Sequence, residues 1–131
     1  KGRGVPQDNA EAVKWWRLAA EQGDDDAQYN LGGMYLNGKG VPQDDAKAVK
    51  WWRLAAEQGD DDAQTNLGLM YLNGKGVPHD YIQAHMWSSL AASKGNENGR
   101  KNRDIIAKKM TLAQMAEAQR LAREWLEEHG E

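Results

Sequence analysis

Two consecutive stretches of 36 residues are nearly identical in sequence. Residues 3–38 read RGVPQDNAEAVKWWRLAAEQGDDDAQYNLGGMYLNG, and residues 39–74 read KGVPQDDAKAVKWWRLAAEQGDDDAQTNLGLMYLNG. The two copies differ at five positions: Arg3/Lys39, Asn9/Asp45, Glu11/Lys47, Tyr29/Thr65 and Gly33/Leu69. A more divergent third copy follows over residues 75–110. A repeat of this length is typical of proteins in which copies of one supersecondary unit stack side by side.

The first half of each copy predicts an amphipathic helix, which covers residues 8–22 in the first copy. At 100° per residue, its small and aromatic side chains fall on one arc, and Lys14, Arg17 and Glu21 fall on the opposite arc with Leu18 at the border. The apolar arc contains Ala12, Val13, Trp15, Trp16, Ala19 and Ala20. Gly23 supplies the left-handed residue that ends such a helix.

The second half of each copy predicts another helix, over residues 25–36 in the first copy. Its apolar stripe consists of Ala27, Leu31, Met34 and Tyr35, and Asn37-Gly38 ends it. The acidic run 24–26 caps its start and complements the positive end of the helix dipole. Each copy is therefore a helical hairpin that buries its apolar faces by stacking on its neighbours.

A last helix is predicted over residues 111–129, where Thr111 and Gln114 form a capping box. We interpret this helix as the lid of the stack, because a terminal repeat needs a polar outer face. The expected fold is an all-α solenoid of helix-turn-helix repeats over residues 3–38, 39–74 and 75–110, with a C-terminal capping helix, in a single domain over 1–131. Residues 1–4 align with an inter-repeat linker, so we expect a fragment of a longer protein, with processing at a natural boundary as the alternative.

Composition narrows the classes of function. The 131 residues carry a net charge of -3, which argues against a nucleic-acid or membrane surface because both would need a basic face. The chain has no cysteine, so a disulfide framework, a thiolate nucleophile and a cysteine zinc site are excluded. Whether the protein is cytoplasmic, periplasmic or secreted does not follow from these features.

The motif combination resembles the Sel1-like repeat (SLR) family, a relative of the tetratricopeptide repeat. The residues that carry the resemblance are AVKWWRLAAEQG at 12–23, AQYNLG at 27–32, Met34-Tyr35 and GKGVPQD at 38–44. The period of 36 with its Gly-x-Gly-Val turn differs from the tetratricopeptide pattern of about 34 residues. The resemblance covers nearly the whole chain.

This resemblance implies a right-handed α-superhelix that acts as a bacterial scaffold or adaptor and binds a protein or peptide on a concave face formed by the first helices. A cysteine-rich branch of the family is linked to β-lactam binding or hydrolysis. Because this chain has no cysteine, that enzymatic alternative is not carried over as the main hypothesis. A structural spacer in a longer array is the other alternative.

Other motifs have structural explanations. The acidic runs 24–26 and 60–62 lack the calcium loop with its later glutamate, and helix capping accounts for them. Gly38-Lys39-Gly40 follows a helix and lacks the Gly-Lys-Ser/Thr ending of a phosphate loop. His79 and His85 are six residues apart and do not share a helix face. We therefore predict no catalytic residue, no metal site and no cofactor.

The candidate partner-binding residues lie on the polar face of the first helices. The set is Lys14, Arg17, Leu18 and Glu21 in the first copy, Lys50, Arg53, Leu54 and Glu57 in the second, and Met86 and Leu90 in the third. Stacking would place equivalent residues side by side as a mixed-charge groove with a leucine seam, which suits an extended peptide or a partner helix. A solvated, charge-paired face is the open alternative, because Arg17 and Glu21 are four residues apart.

Two further expectations concern packing. The tryptophan pairs 15–16 and 51–52 are interpreted as core residues rather than as a ligand cage. The exchange of Tyr29 and Gly33 for Thr65 and Leu69 is interpreted as volume compensation at an inter-repeat contact, with chance drift as the alternative. We also expect an uncovered apolar edge at the first helix, with possible self-association through it.

Overall fold

The computed structural model describes residues 6–129, and within them it confirms the all-α prediction. Seven helices are present: α1 (Pro6–Glu21), α2 (Asp25–Asn37), α3 (Asp45–Glu57), α4 (Asp61–Asn73), α5 (Tyr81–Ser93), α6 (Glu97–Ala107) and α7 (Leu112–Glu128). The expected start of the first repeat at residue 3 lies outside the described residues. None of the described helices is long and apolar enough to cross a membrane.

The helix ends follow from the local sequence. The Asp24 and Asp60 carboxylates accept from the backbone N–H groups of Ala27 and Ala63, at 3.0 and 2.9 Å. Their role as caps of α2 and α4 is thus confirmed. The predicted capping box at Thr111 and Gln114 is also present. Helix α1 begins at Pro6, two residues before the predicted start at residue 8, so Asp8 lies inside its first turn.

The glycine-rich linker follows the surface of the preceding hairpin. Gly38 ends α2 with φ of 66°, in the left-handed region, and donates its backbone N–H to Met34 O. Gly40 also has a positive φ, and a Cβ there would clash with Asn9 O and the Val13 side chain. The second glycine is therefore required both by its backbone angle and by the close passage of the linker over α1.

The helices pack in chain order around one continuous core. Helix α2 lies between α1 and α3, and α4 lies between α3 and α5. Helix α5 also contacts α6 and α7. The centre consists of fully buried leucines and alanines with the Trp52 and Trp87 rings among them. Each hairpin therefore buries its apolar sides against the next, as a stacked repeat requires.

One tryptophan differs from the expectation that all four are core residues. Trp51 and Trp52 are buried and Trp16 is half-buried, but the Trp15 side chain is 63% exposed. The reason is positional: α3 packs on both α2 and α4, whereas α1 packs mainly on α2 among the described helices. The core prediction is therefore wrong for Trp15.

The exchange at Tyr29 and Gly33 is not explained by compensation at a filled contact. A Cβ built on Gly33 would meet no atom within 4 Å, so the glycine leaves open space beside α4. The neighbouring Gly32 is the one that packs tightly, because its Cβ would lie 2.6 Å from the Trp52 ring. The two adjacent glycines therefore have opposite roles.

Candidate functional site

The four candidate residues of the first repeat line one shallow depression of about 340 Å³ on α1, together with Glu11 and Trp15. Leu18 is 50% exposed there. Lys14 and Glu21 are also exposed, and Arg17 is half-buried. The arrangement places an apolar side chain between a cationic and an anionic group on one helix surface.

The half-burial of Arg17 has a specific cause. Its Nη2 donates a hydrogen bond of 2.6 Å to the Tyr35 hydroxyl on α2. In the second repeat, Arg53 Nη2 donates to the Tyr71 hydroxyl at the same distance. Among the described residues, the ion pairs within 4 Å are those of Arg100, Arg103 and Arg120. Arg17 is therefore fixed by a tyrosine and not by Glu21.

These tyrosines were not among the candidate residues predicted from the sequence. The available signal was a tyrosine that follows the arginine by 18 residues in both copies. Lys47 was missed too, and its Nζ lies 5.6 Å from the centroid of the Tyr35 ring. Because Tyr35 belongs to the preceding hairpin, this cation–π contact joins the two repeats.

The second repeat presents the same surface with more positive charge. Leu54 is 39% exposed, and Lys50 and Glu57 are exposed beside it. The Lys50 Nζ lies 5.3 Å from the centroid of the Trp51 ring. Since α1 and α3 both pack on α2, the two sets of candidate residues lie on neighbouring first helices.

The third-repeat candidates occupy a different environment. Met86 is 6% and Leu90 is 1% exposed. Helix α7 packs on α5, and the Trp125 and Trp87 rings meet edge to face at 6.1 Å. The positions that carry Lys and Leu in the other repeats are therefore core positions in α5, and neither Met86 nor Leu90 belongs to an exposed surface.

The second acidic run, residues 60–62, is engaged within the fold. The three carboxylates at 60–62 lie close together, but the Asn96 amide donates to Asp61 Oδ2 and Asp62 Oδ1 at 2.9 and 3.0 Å. Burial raises the pKa of Asp60, and the Asp25, Asp62 and Asp61 carboxylates raise it further. The hydrogen bond from the Ala63 backbone N–H acts in the opposite direction. These contacts are consistent with a junction between repeats.

His79 and His85 lie in different environments. His79 packs edge to face on the Tyr81 ring at 4.4 Å. His85 is buried, and its Nδ1 lies 3.2 Å from Ser89 Oγ. Burial and the Arg103 charge lower the pKa of His85, against an opposing contribution from Asp104.

Helical hairpins stacked in this way define the class of α/α repeat proteins. The chain belongs to the Sel1 repeat family, whose model matches residues 1–24, 25–60 and 61–96. Proteins of this family are generally protein–protein interaction modules and typically non-catalytic scaffolds. No curated protein matches the chain.

Two solved structures from bacteria are similar. One is c5321, a protective antigen of uropathogenic Escherichia coli strains with an SLR fold, at 41% identity and a TM-score of 0.93. The match covers 96% of this chain and 27% of that one. The other is a Sel1 repeat protein from Oxalobacter formigenes, at 35% identity and a TM-score of 0.71, covering 73% of this chain and 40% of that one. This chain thus spans less than half of either relative.

Proposed function

We propose that the protein is an adaptor that binds an acidic, amphipathic segment of a partner protein. The binding surface, called the first-helix face below, comprises the exposed and half-exposed candidate residues of α1 and α3. They are Lys14, Arg17, Leu18, Glu21, Lys50, Arg53, Leu54 and Glu57. The observation that carries the proposal is the recurrence of one exposed leucine beside a lysine and an arginine in both repeats.

The two leucines supply the apolar part of the contact. A folded domain gains nothing from exposing Leu18 and Leu54 at equivalent positions. Each side chain that a partner covers would contribute to the binding free energy, because its apolar surface would be removed from water. A partner helix or extended segment that spans both repeats would cover the two together. This is the pattern of an amphipathic segment lying in a groove.

The arginines are prepared for a partner by their tyrosine contacts. One Nη of Arg17 is used by Tyr35, and a guanidinium retains further N–H donors for a carboxylate. The side chain has therefore already lost much of its rotamer freedom before a partner arrives. Such preorganisation reduces the entropy lost on binding.

Charge favours an acidic partner. The positions 11, 14, 17 and 21 and their equivalents in the second repeat contain five cations and three anions, although the whole chain has a net charge of -3. Lys47, which replaces Glu11, produces part of this local excess. Complementary charge would speed association and select against basic partners.

The test uses a fluorescein-labelled 20-residue peptide with leucines on one helical face and glutamates on the other. Anisotropy is measured with the wild-type protein, with Lys14→Glu/Lys50→Glu and with Leu18→Ser/Leu54→Ser. We expect both double variants to weaken binding about tenfold, and added salt to weaken wild-type binding.

The control is Lys101→Glu/Lys108→Glu, which reverses two exposed lysines of the α6 segment and makes the same change in net charge. Its affinity for the acidic peptide should remain within about twofold of that of the wild type. An equal loss of binding in the two lysine variants would mean that only net charge matters, and the proposal would then be rejected.

A further inference from the structure

The third hairpin carries two nitrogen bases at positions that are apolar in the first two hairpins. These bases are His85 on α5 and Arg103 on α6. The residues at the equivalent positions are all 4% exposed or less, and they are Val13, Val49, Leu31 and Leu67. The last hairpin therefore has ionisable groups where its neighbours have a hydrophobic core.

The His85 ring is buried although its position has become polar. The side chain is 4% exposed, and its hydrogen bond within the described residues joins Nδ1 to Ser89 Oγ at 3.2 Å. A hydroxyl donates to a neutral imidazole or accepts from a protonated one, so Ser89 does not select the charge state. Burial does, because a buried imidazolium loses the hydration that favours it in water.

The charged groups that act on His85 lie on α6. Arg103 disfavours the protonated ring and Asp104 favours it, and the effect of the arginine is the larger. The Arg103 Nη2 forms an ion pair of 3.1 Å with Asp104, so this carboxylate already has a cation. Helices α4 and α7 also pack on α5, but none of their described charged groups acts on the ring.

The contact between α5 and α6 leaves little room to hydrate a charged ring. A Cβ on Gly99 would lie 2.7 Å from Ala91 Cβ and 3.1 Å from Ser88 O, so the two helices approach closely there. Among the described helices, α6 packs mainly on α5 and α4, whereas α7 packs mainly on α5. Water therefore reaches a protonated ring when α6 moves away from α5.

We propose that the α5–α6 hairpin is an acid-sensitive switch, in which protonation of His85 separates α6 from α5. The proton comes from solvent and enters at a ring nitrogen, and the imidazolium then lies beside the permanent charge of Arg103. The first two hairpins carry valine at the position of His85, so acid acts on one end of the stack. The switch does not depend on the first-helix face, and the failure of either proposal would leave the other standing.

The direction of the pH dependence follows from the environment of the ring. Burial and the Arg103 charge lower the pKa of His85 from its ordinary value of 6.5, so the opened hairpin binds the proton more tightly than the closed one. The closed hairpin is therefore most stable above a pH of about 6.5, and it loses stability as the pH falls below that value.

The experiment is hydrogen exchange of the ¹⁵N-labelled 131-residue chain, followed by NMR at a pH of about 7.5 and about 5.5, on either side of the ordinary histidine pKa. Protection factors are corrected for the intrinsic effect of pH on exchange. Those of α6 should fall about fivefold in acid, within the limit of about tenfold that one proton sets one pH unit below 6.5. Those of α2 should stay within about twofold.

Two variants restore the residues of the first two hairpins. His85→Val should abolish the loss of protection in α6, and Arg103→Leu should reduce it, because the ring then lies beside Asp104 without the arginine charge. Arg103→Leu also serves as the test if His85→Val does not fold. The matched control is His79→Gln/His129→Gln, which removes two exposed histidines and should leave the acid response unchanged.

Three results would overturn the proposal. The first is that α6 keeps its protection in acid, and the second is that acid lowers protection equally in α2 and α6. The third is that a variant without His85 loses protection in α6 as the wild type does. Disappearance of the acid response in His79→Gln/His129→Gln would likewise assign it to an exposed histidine and reject the switch.

Discussion

Arg17 and Tyr35 are joined by a hydrogen bond of 2.6 Å between Nη2 and the phenol oxygen, and Arg53 and Tyr71 repeat the contact at the same length. Each bond ties the first helix of a hairpin to its second helix. In the second repeat the guanidinium carbon also lies 5.5 Å from the centroid of the tyrosine ring. Because these arginines support the fold, the lysines are the better positions at which to test partner binding.

Replacing Tyr71 by phenylalanine should lower the free energy of unfolding by about 1 kcal/mol, because the Arg53 contact is lost while the ring remains. Urea unfolding followed by circular dichroism measures the effect. Tyr81→Phe is the control, since the Tyr81 hydroxyl makes no hydrogen bond within the described residues. Equal destabilisation by both variants would show that the arginine contact is not responsible.

The adjacent glycines of α2 should respond to alanine in opposite directions. Gly33→Ala should stabilise the protein by about 1 kcal/mol, the helix propensity difference, since its Cβ meets no atom within 4 Å. Gly32→Ala should destabilise it by about 2 kcal/mol because the Cβ would overlap the buried Trp52 ring. Thermal unfolding of both variants measures the two effects. A shift of the midpoint temperature in the same direction for both would contradict the packing described for Trp52.

Asp60→Asn should stabilise the protein at neutral pH. Burial, aided by nearby carboxylates, raises the pKa of Asp60, so the folded state binds its proton more tightly than the unfolded state. The ionised form therefore costs stability once the pH rises through the folded pKa. Asparagine caps a helix as well as aspartate does, and it removes that cost.

The gain in the free energy of unfolding from Asp60→Asn should shrink in acid, because the carboxyl is then protonated in both the folded and the unfolded state. Urea unfolding at a series of pH values tests this. The third repeat supplies the reverse control, since Asn96 already donates to Asp61 and Asp62. Asn96→Asp should destabilise the protein at neutral pH. A gain from Asp60→Asn that does not change with pH would rule out the charge explanation.

Trp125→Ala should destabilise the protein by about 2 kcal/mol, because the ring is half-buried against Trp87. It should also speed hydrogen exchange in α5, which α7 covers. Arg123→Ala, at an exposed position of the same helix, is the comparison and should change stability by less than about 0.5 kcal/mol. Unchanged exchange in α5 would contradict the covering role of α7.

Most of the fold was predictable because near-identical copies repeat the same capping and apolar signals. The exposure of Trp15 was not predictable, because Trp15 and Trp51 have the same local sequence. They differ only in whether another helix packs beside them. The burial of Met86 had a partial signal, the loss of lysine at a position that is charged in both other repeats. Its covering by α7 depends on tertiary packing that a local pattern does not contain.

The positions of the candidate surface could be proposed from the sequence, but their contacts could not. The polar arc of α1 and α3 follows from helical spacing, which brought Lys14 and Leu18 into the candidate set. The Arg17–Tyr35 contact joins residues 18 apart on different helices, so periodicity within one helix does not reveal it. The empty space beside Gly33 is likewise seen only in the assembled repeats.

A charge-swap experiment measures whether Lys14 and Lys50 select an acidic partner for the first-helix face. The anisotropy of two labelled amphipathic peptides, one with glutamates and one with lysines at the same positions, is measured against the wild type and Lys14→Glu/Lys50→Glu. The variant should lose affinity for the acidic peptide and gain affinity for the basic one, each by about tenfold. Equal affinity of wild type and variant for the acidic peptide would contradict binding at the first-helix face.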